Sequence, residues 1–372
     1  RNIFNPLNSG FFGSIGGFAI IGTAQADVFN IKTEAETWMS VRGDAGADTY
    51  NIQNENSGLV RLDLRNANNG VEVNLSLNSG QVINDGYGTT DTITGSGEIW
   101  EVRGSDLTDS FIGSINDESF ITRLGNDTVD GGDGFDRVRY DRGVISTGVD
   151  VDLTQTTGTV TFTIPDSGGG LPTTYTQNLS NIEWIRGSNF NDTITGTTGD
   201  ERLQGRNGDD TINGGGGADS IFGESGNDLI RIPDLGFEEV NGGAGQDTLE
   251  LDGNFDLDLT TFEGIFPAGF EEIDLGALVS TLTINEQNVI NISDESNEFV
   301  QTNGLGVSGE SLLVTGNSGD TVNLNNAGSE VGATWQLDTV NTTSGFNVYN
   351  YSNATETFAT VVVEDVVAPV VT

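Results

Sequence analysis

Residues 205–231, GRNGDDTINGGGGADSIFGESGNDLIR, repeat their chemistry every nine residues, and that period constrains the fold more than any other feature of the chain. On a nine-residue frame, eleven units begin at Gly86, Gly95, Gly104, Gly113, Thr122 and Gly131, then at Gly187, Gly196, Gly205, Gly214 and Gly223. Position 6 holds Asp91, Trp100, Asp109, Glu118, Asp127, Asp136, Asp192, Glu201, Asp210, Asp219 and Asp228, acidic in ten of the eleven units. Position 8 is apolar in every unit, as in Ile194, Leu203, Ile212, Ile221 and Ile230. A glycine-rich linker has no reason to keep one apolar residue at fixed spacing, so the pattern marks an ordered coil.

The letters of the unit give its physics. Glycine permits positive φ in the turn and lets carbonyl oxygens point to one side. Positions 7 to 9 read polar, apolar, polar, the alternation of a very short strand with one residue facing a core. Two units make one coil, so units two apart stack on the same edge, about 4.8 Å apart. Calcium takes oxygen ligands at about 2.3–2.6 Å, so a cation fits between successive turns and relieves the repulsion of stacked carboxylates. Composition agrees: the formal net charge is -42, with 56 Asp plus Glu against 14 Lys plus Arg, no Cys and no His. That balance argues against nucleic acid and membrane insertion as partners and for cations. The chain also lacks an apolar run long enough to span a bilayer.

The units GGDGFDRVR at 131, GRNGDDTIN at 205, GGGGADSIF at 214, GESGNDLIR at 223 and GGAGQDTLE at 242 resemble the RTX (repeats-in-toxin) calcium-binding repeat family, with echoes at GTAQADVFN (22–30) and GDAGADTYN (43–51). The resemblance implies an all-β chain: a right-handed parallel β-roll or β-solenoid, here followed by a β-rich C-terminal segment. It also implies Ca2+ held between turns and export by a Gram-negative bacterium to the cell exterior or surface. Carried onto this chain, the candidate metal residues are Asp27, Asp48, Asp109, Glu118, Asp127, Asp136, Asp192, Glu201, Asp210, Asp219, Asp228 and Asp247. The turn residues Gly205, Asn207, Gly214, Gly216, Gly223, Ser225 and Gly242 join them. The units at 86, 95, 104 and 113 lack glycine at position 4 and Trp100 replaces the acid, which weakens the case for calcium there. The ten residues 232–241 form a half-coil without the acid, after which Asp247 is expected to rejoin the edge of Asp192, Asp210 and Asp228.

The expected organisation is an N-terminal cap with degenerate repeats (1–85), a first array (86–139), a strand-rich insertion (140–186), a second array (187–250) and a β-rich segment (251–372). The apolar stretch 11–22 is expected to be a buried strand or end cap. The two insertions, 52–85 and 140–186, are expected to widen the coil locally. Thr283 and Glu286 have capping-box spacing, which predicts a short helix in NEQNVINI. Whether 251–372 continues the solenoid or folds as a sandwich is open.

Without His or Cys, Ser-His and Cys-His nucleophiles and His-bound zinc are excluded. The nonapeptide frame accounts for most of the acids, leaving no surplus carboxylate pair for glycoside hydrolysis. Arg137, Arg139 and Arg142 read as solvated partners for nearby acids, and the sequons at Asn74 and Asn341 as chance. The chain therefore reads as a non-enzymatic calcium-binding module of a large secreted adhesin or surface-layer-like protein. Its partners would be other copies, neighbouring domains or cell-surface polysaccharide. The alternative is the secretion and folding module of an RTX exoenzyme or toxin. The start at Arg1 and the extended end VVVEDVVAPVVT suggest an internal portion of a longer protein.

Overall fold

The structure is a computed structural model that describes residues 2–3, 18–33, 38–54, 58–142, 144–166, 170–261, 267–278, 280–293, 310–326, 333–338, 345–352, 357–364 and 367–371. Residues 11–17 and Asn341 lie outside the described residues. The chain divides into two compact units, Arg1–Ser188 and Asn189–Thr372.

In the first unit, strands mostly of three to five residues stack in parallel. One ladder runs Phe18–Ile21, Trp38–Arg42, Leu59–Asp63, Glu101–Arg103, Ser119–Ile121, Arg137–Arg139 and Trp184–Arg186. A second runs Glu72–Asn74, Ser110–Ile112, Thr128–Asp130 and Thr173–Ser180. The short strands follow from the unit: three residues with one apolar side chain between two glycine-bearing turns leave nothing longer to pair. Where two repeats lie in tandem the partners are 18 residues apart, as in Val102↔Phe120↔Val138 and Phe111↔Val129. Position 8 is the core: Val102, Phe111, Phe120, Val129 and Val138 are fully buried, and the Phe111 and Phe120 rings stack at 5.8 Å.

The second unit repeats the construction. Arg202–Asn207, Ser220–Ser225 and Glu239–Ala244 form one parallel ladder. Thr193–Thr195, Thr211–Asn213, Leu229–Ile232, Thr248–Leu251, Glu272–Asp274, Glu310–Thr315 and Thr357–Glu364 form another. Ile194, Ile212 and Ile230 fill its core one above another, all fully buried. Ile212→Val should cost about 0.5–1.5 kcal/mol, because the removed methylene leaves a gap between two fixed neighbours. Urea unfolding with calcium present measures it.

The question left open for 251–372 has an answer: parallel pairing continues past residue 251, and among the described residues there only Thr334–Leu337 and Phe346–Ser352 add antiparallel pairing onto Thr357–Glu364. Several expectations are corrected. The insertions contribute strands to the ladders themselves and add antiparallel pairing there: Glu72–Asn74 with Val82–Asn84, and Asp150–Asp152, Gly158–Ile164 and Thr173–Ser180 in succession. One result is that the unit at Gly86 does not lie beneath the unit at Gly104. Its strand Thr92–Gly95 pairs with Thr49–Asn54, while Glu72–Asn74 takes the place under Ser110–Ile112. In the stretch 11–22 a strand forms at Phe18–Ile21, yet Ile21 is 50% exposed. The helix is Glu286–Ile292, capped by Asn285 and Asn288 rather than by Thr283 and Glu286.

Arg137 and Arg139 are not solvated. Both are buried, and with Arg61 they converge on the fully buried Glu101. Arg137 also lies between the Trp100 and Trp184 rings, 5.1 and 4.5 Å from their centroids. Trp100 thus replaces a position 6 acid where the edge is closed by stacking. Among the described residues no helix is long and apolar enough to cross a membrane.

Candidate metal centre

Many position 6 acids accept, through one carboxylate oxygen, the backbone N–H of the acid one coil earlier. In the second unit the backbone N–H of Asp192 donates to Asp210 Oδ1 at 2.7 Å, that of Asp210 to Asp228 Oδ1 at 2.8 Å, and that of Asp228 to Asp247 Oδ1 at 2.7 Å. Asp247 N–H in turn donates to Glu271 Oε2 at 3.0 Å. On the other edge Glu201 N–H donates to Asp219 Oδ1 at 3.0 Å. The first unit builds the same ladder: Asp27 to Asp48, Asp109 to Asp127, Glu118 to Asp136 and Asp136 to Glu183. Asp247 therefore follows Asp228 in the column despite the ten-residue half-coil before it.

The second oxygen separates two kinds of turn. Where position 2 is Ser or Thr, the turn satisfies its own acid. Thr23 donates its N–H and hydroxyl to Asp27 Oδ2 at 2.7 and 2.8 Å, and Ser105 does the same to the two oxygens of Asp109 at 2.8 and 2.7 Å. Ser114 serves Glu118 and Thr197 serves Glu201 in the same way. Where position 2 has positive φ, at Asp44, Gly132, Arg206 and Glu224, the Oδ2 atoms of Asp48, Asp136, Asp210 and Asp228 are buried and accept no hydrogen bond. A buried carboxylate oxygen without a donor is costly, and a cation is its natural complement.

The glycines show what else faces that oxygen. A Cβ at position 1 would strike the carboxylate: at Gly214 it would lie 2.6 Å from Asp219 Oδ2, and at Gly131 2.6 Å from Asp136 Oδ2. A Cβ at Gly215 or Gly243 (position 2), or at Gly217, Gly226 or Gly245 (position 4), would land on the carbonyl oxygen of the same position one coil earlier. The carbonyls of positions 2 and 4 thus point along the stack toward the next turn. The position 1 carbonyls of Gly214 and Gly242 point the opposite way, against Gly196 and Gly223. Oxygens from two successive turns therefore face one gap. Among the described residues no three carboxylates come close enough to hold a metal by themselves, so carbonyls must supply most of the six to eight oxygens calcium takes. With those carbonyls the donor set is all oxygen and fits a hard cation. Of the turn candidates, the Ser225 carbonyl already accepts from Gly208 N–H at 3.0 Å, and the Asn207 side chain donates to Asn189 at 2.9 Å. Gly216 has positive φ, as a turn of this shape requires.

The electrostatics follow. Burial, with neighbouring carboxylates adding, raises Asp210 to about 8, Asp219 to about 7, Asp136 to about 7, and Asp48 and Asp228 to about 6. Without a metal these groups hold protons that ordinary aspartates have lost.

Glu183, Glu271 and Gln177 were missed by the nine-residue frame, because none has the frame's glycine five residues before it. The signal was present in the four-residue words EWIR, EEID and QNLS, each placing a polar residue two before a buried aliphatic.

A family model for the RTX calcium-binding nonapeptide repeat matches in 4 copies, over residues 104–143, 180–197 and 195–230. No curated protein matches. Among solved structures, the extracellular lipase LipA from Serratia marcescens aligns at 12% identity and a TM-score of 0.14. That alignment covers 74% of this chain and only 42% of the lipase, and at such a score it carries no argument.

Proposed function

Because this chain carries RTX repeats, which bind Ca2+, we propose that it is a calcium-ordered structural module of a protein secreted by a Gram-negative bacterium and displayed at the cell surface. The observation that supports the reading is the row of buried Oδ2 atoms at Asp48, Asp136, Asp210 and Asp228, each without a hydrogen bond and each in a turn whose position 2 has positive φ. We place ions at these turns and at those of Asp219 and Asp247, with the position 1, 2 and 4 carbonyls completing each shell. Calcium supplies positive charge where acids stack, and so lets turns close that would otherwise repel. Shared ligands between successive turns stiffen the coil, which suits a spacer that holds adhesive or lattice-forming neighbours, or a polysaccharide contact, away from the cell. Extracellular calcium orders it by mass action after export. The module itself does no catalysis.

Calorimetric titration of the calcium-stripped chain tests the site assignment. Asp210→Asn should lower both the number of bound ions and the melting temperature in calcium, because Asp210 lies between Asp192 and Asp228 in one column. Asp109→Asn should leave the ion count unchanged, because Ser105 already serves that carboxylate. Equal losses in the two variants would overturn the assignment. For the surface role, antibody against this chain should label intact cells of its source in calcium. Recovery wholly in the medium, on a polypeptide with hydrolytic activity, would favour the exoenzyme reading instead.

A further inference from the structure

The unit at Thr122 breaks the frame at position 1, the one place among eleven where a glycine is replaced. At Gly104, Gly113, Gly131, Gly205, Gly214 and Gly223 the position 6 carboxylate sits within 3 Å of where a Cβ would be, so only glycine fits there without a shift. A threonine Cβ at residue 122 therefore implies that the Asp127 carboxylate is held elsewhere. It is: Asp127 Oδ2 accepts a hydrogen bond from Gln177 Nε2 at 2.7 Å.

Gln177 lies in the strand Thr173–Ser180, which returns from the insertion hairpin and pairs with Thr128–Asp130 in the register Asn178↔Thr128. It thus occupies the register place of the next position 6 acid. Its carboxamide is fully buried. The amino end also approaches the carbonyl oxygens of Arg123 at 3.4 Å and Gly125 at 3.5 Å. These are positions 2 and 4 of the same turn. The three oxygens contacted, two carbonyls and one aspartate Oδ2, are the same three that face the gap at the metal-competent turns. The other end of the amide is fixed as well, since Gln177 Oε1 accepts from the Thr122 hydroxyl at 2.9 Å and from the Tyr140 hydroxyl at 3.2 Å. Three acceptors around one end leave no alternative orientation for the amide.

We propose that the Gln177 amino group takes the place of calcium at the end of the first array, so that the Asp109–Asp127 column is a metal-free edge closed by the protein itself. Resting on the calcium-binding reading above, the proposal adds which column lacks ions and why. Each carboxylate oxygen of the column has a donor: Ser105 serves both oxygens of Asp109, Asp109 N–H serves Asp127 Oδ1, and Gln177 serves Asp127 Oδ2. The insertion 140–186 is then the element that delivers this internal substitute, and Thr122 marks the turn that no longer needs to clear a carboxylate from above its first residue.

The test counts calcium ions bound by the full chain after chelation and buffer exchange, using calorimetry and equilibrium dialysis with calcium alone as the probe. Gln177→Glu replaces the donor by a second carboxylate facing Asp127 and should add one ion to the wild-type count. Asp127→Asn should leave the count unchanged. A loss of one ion in D127N, or an unchanged count in a folded Q177E, overturns the proposal. If Q177E does not fold, D127N still decides. If the wild-type chain binds no calcium at all, the calcium-binding reading itself fails, an outcome distinct from either variant's result.

Discussion

Freed of calcium at pH 8, the chain should lose most of its strand signal in circular dichroism, and lowering the pH of the metal-free chain toward 5 should restore part of it. Asp210, Asp219, Asp136, Asp228 and Asp48 have folded values of about 6 to 8 against 3.8, with burial the leading cause. Between pH 4 and 8 the metal-free folded chain therefore binds more protons than the unfolded chain. Stability then falls as pH rises, the reverse of a salt-bridged aspartate. Calcium competes with those protons, so its binding should strengthen over the same range. Melting curves at several pH values, with and without calcium, check both slopes. A metal-free melting temperature that rises with pH, or one unaffected by calcium at pH 8, would refute the account. Repeating the series at high salt separates local burial from the general repulsion of a chain carrying -42.

Gly226→Ala should be among the most damaging single substitutions. The residue has φ +130, a backbone region that costs a non-glycine residue roughly 1–3 kcal/mol. Its Cβ would lie 2.5 Å from the carbonyl carbon of Gly208, so the two turns must also move apart. Gly88→Ala is the control, since Gly88 has φ +92 but nothing within 4 Å of the added carbon. Denaturant unfolding in calcium should show a clearly larger loss for Gly226→Ala, together with weaker calcium binding. Similar losses in the two variants would mean that turn spacing is not rigid.

The coil, its phase and its core were readable because one apolar residue in nine leaves no other burial scheme: Phe111, Val129, Ile212 and Ile230 stand where the frame puts them. What escaped the frame did so for physical reasons. A hairpin such as Glu72–Asn74 with Val82–Asn84 changes which strand lies below the next one, and local pattern carries no record of that long-range choice. The acid at position 6 was equally visible in Asp109 and Asp210, yet its availability depends on position 2, where a hydroxyl closes the turn and positive φ opens it. That rule was present in the letters Ser105, Ser114 and Thr197 but needed side-chain geometry to be seen. Gln177 was hidden further, because its partner Asp127 lies 50 residues away across an insertion.

The spacing between stacked acids is 18 residues from Asp192 to Asp210 and from Asp210 to Asp228, then 19 from Asp228 to Asp247, with strand partners intact on both sides. A turn can therefore absorb an extra residue at its apex, while the strand count cannot change so freely. Loss or gain of a single nonapeptide transfers every later carboxylate to the opposite edge, whereas loss or gain of two restores the columns. Parity, more than length, governs how such a chain can grow or shrink over evolutionary time.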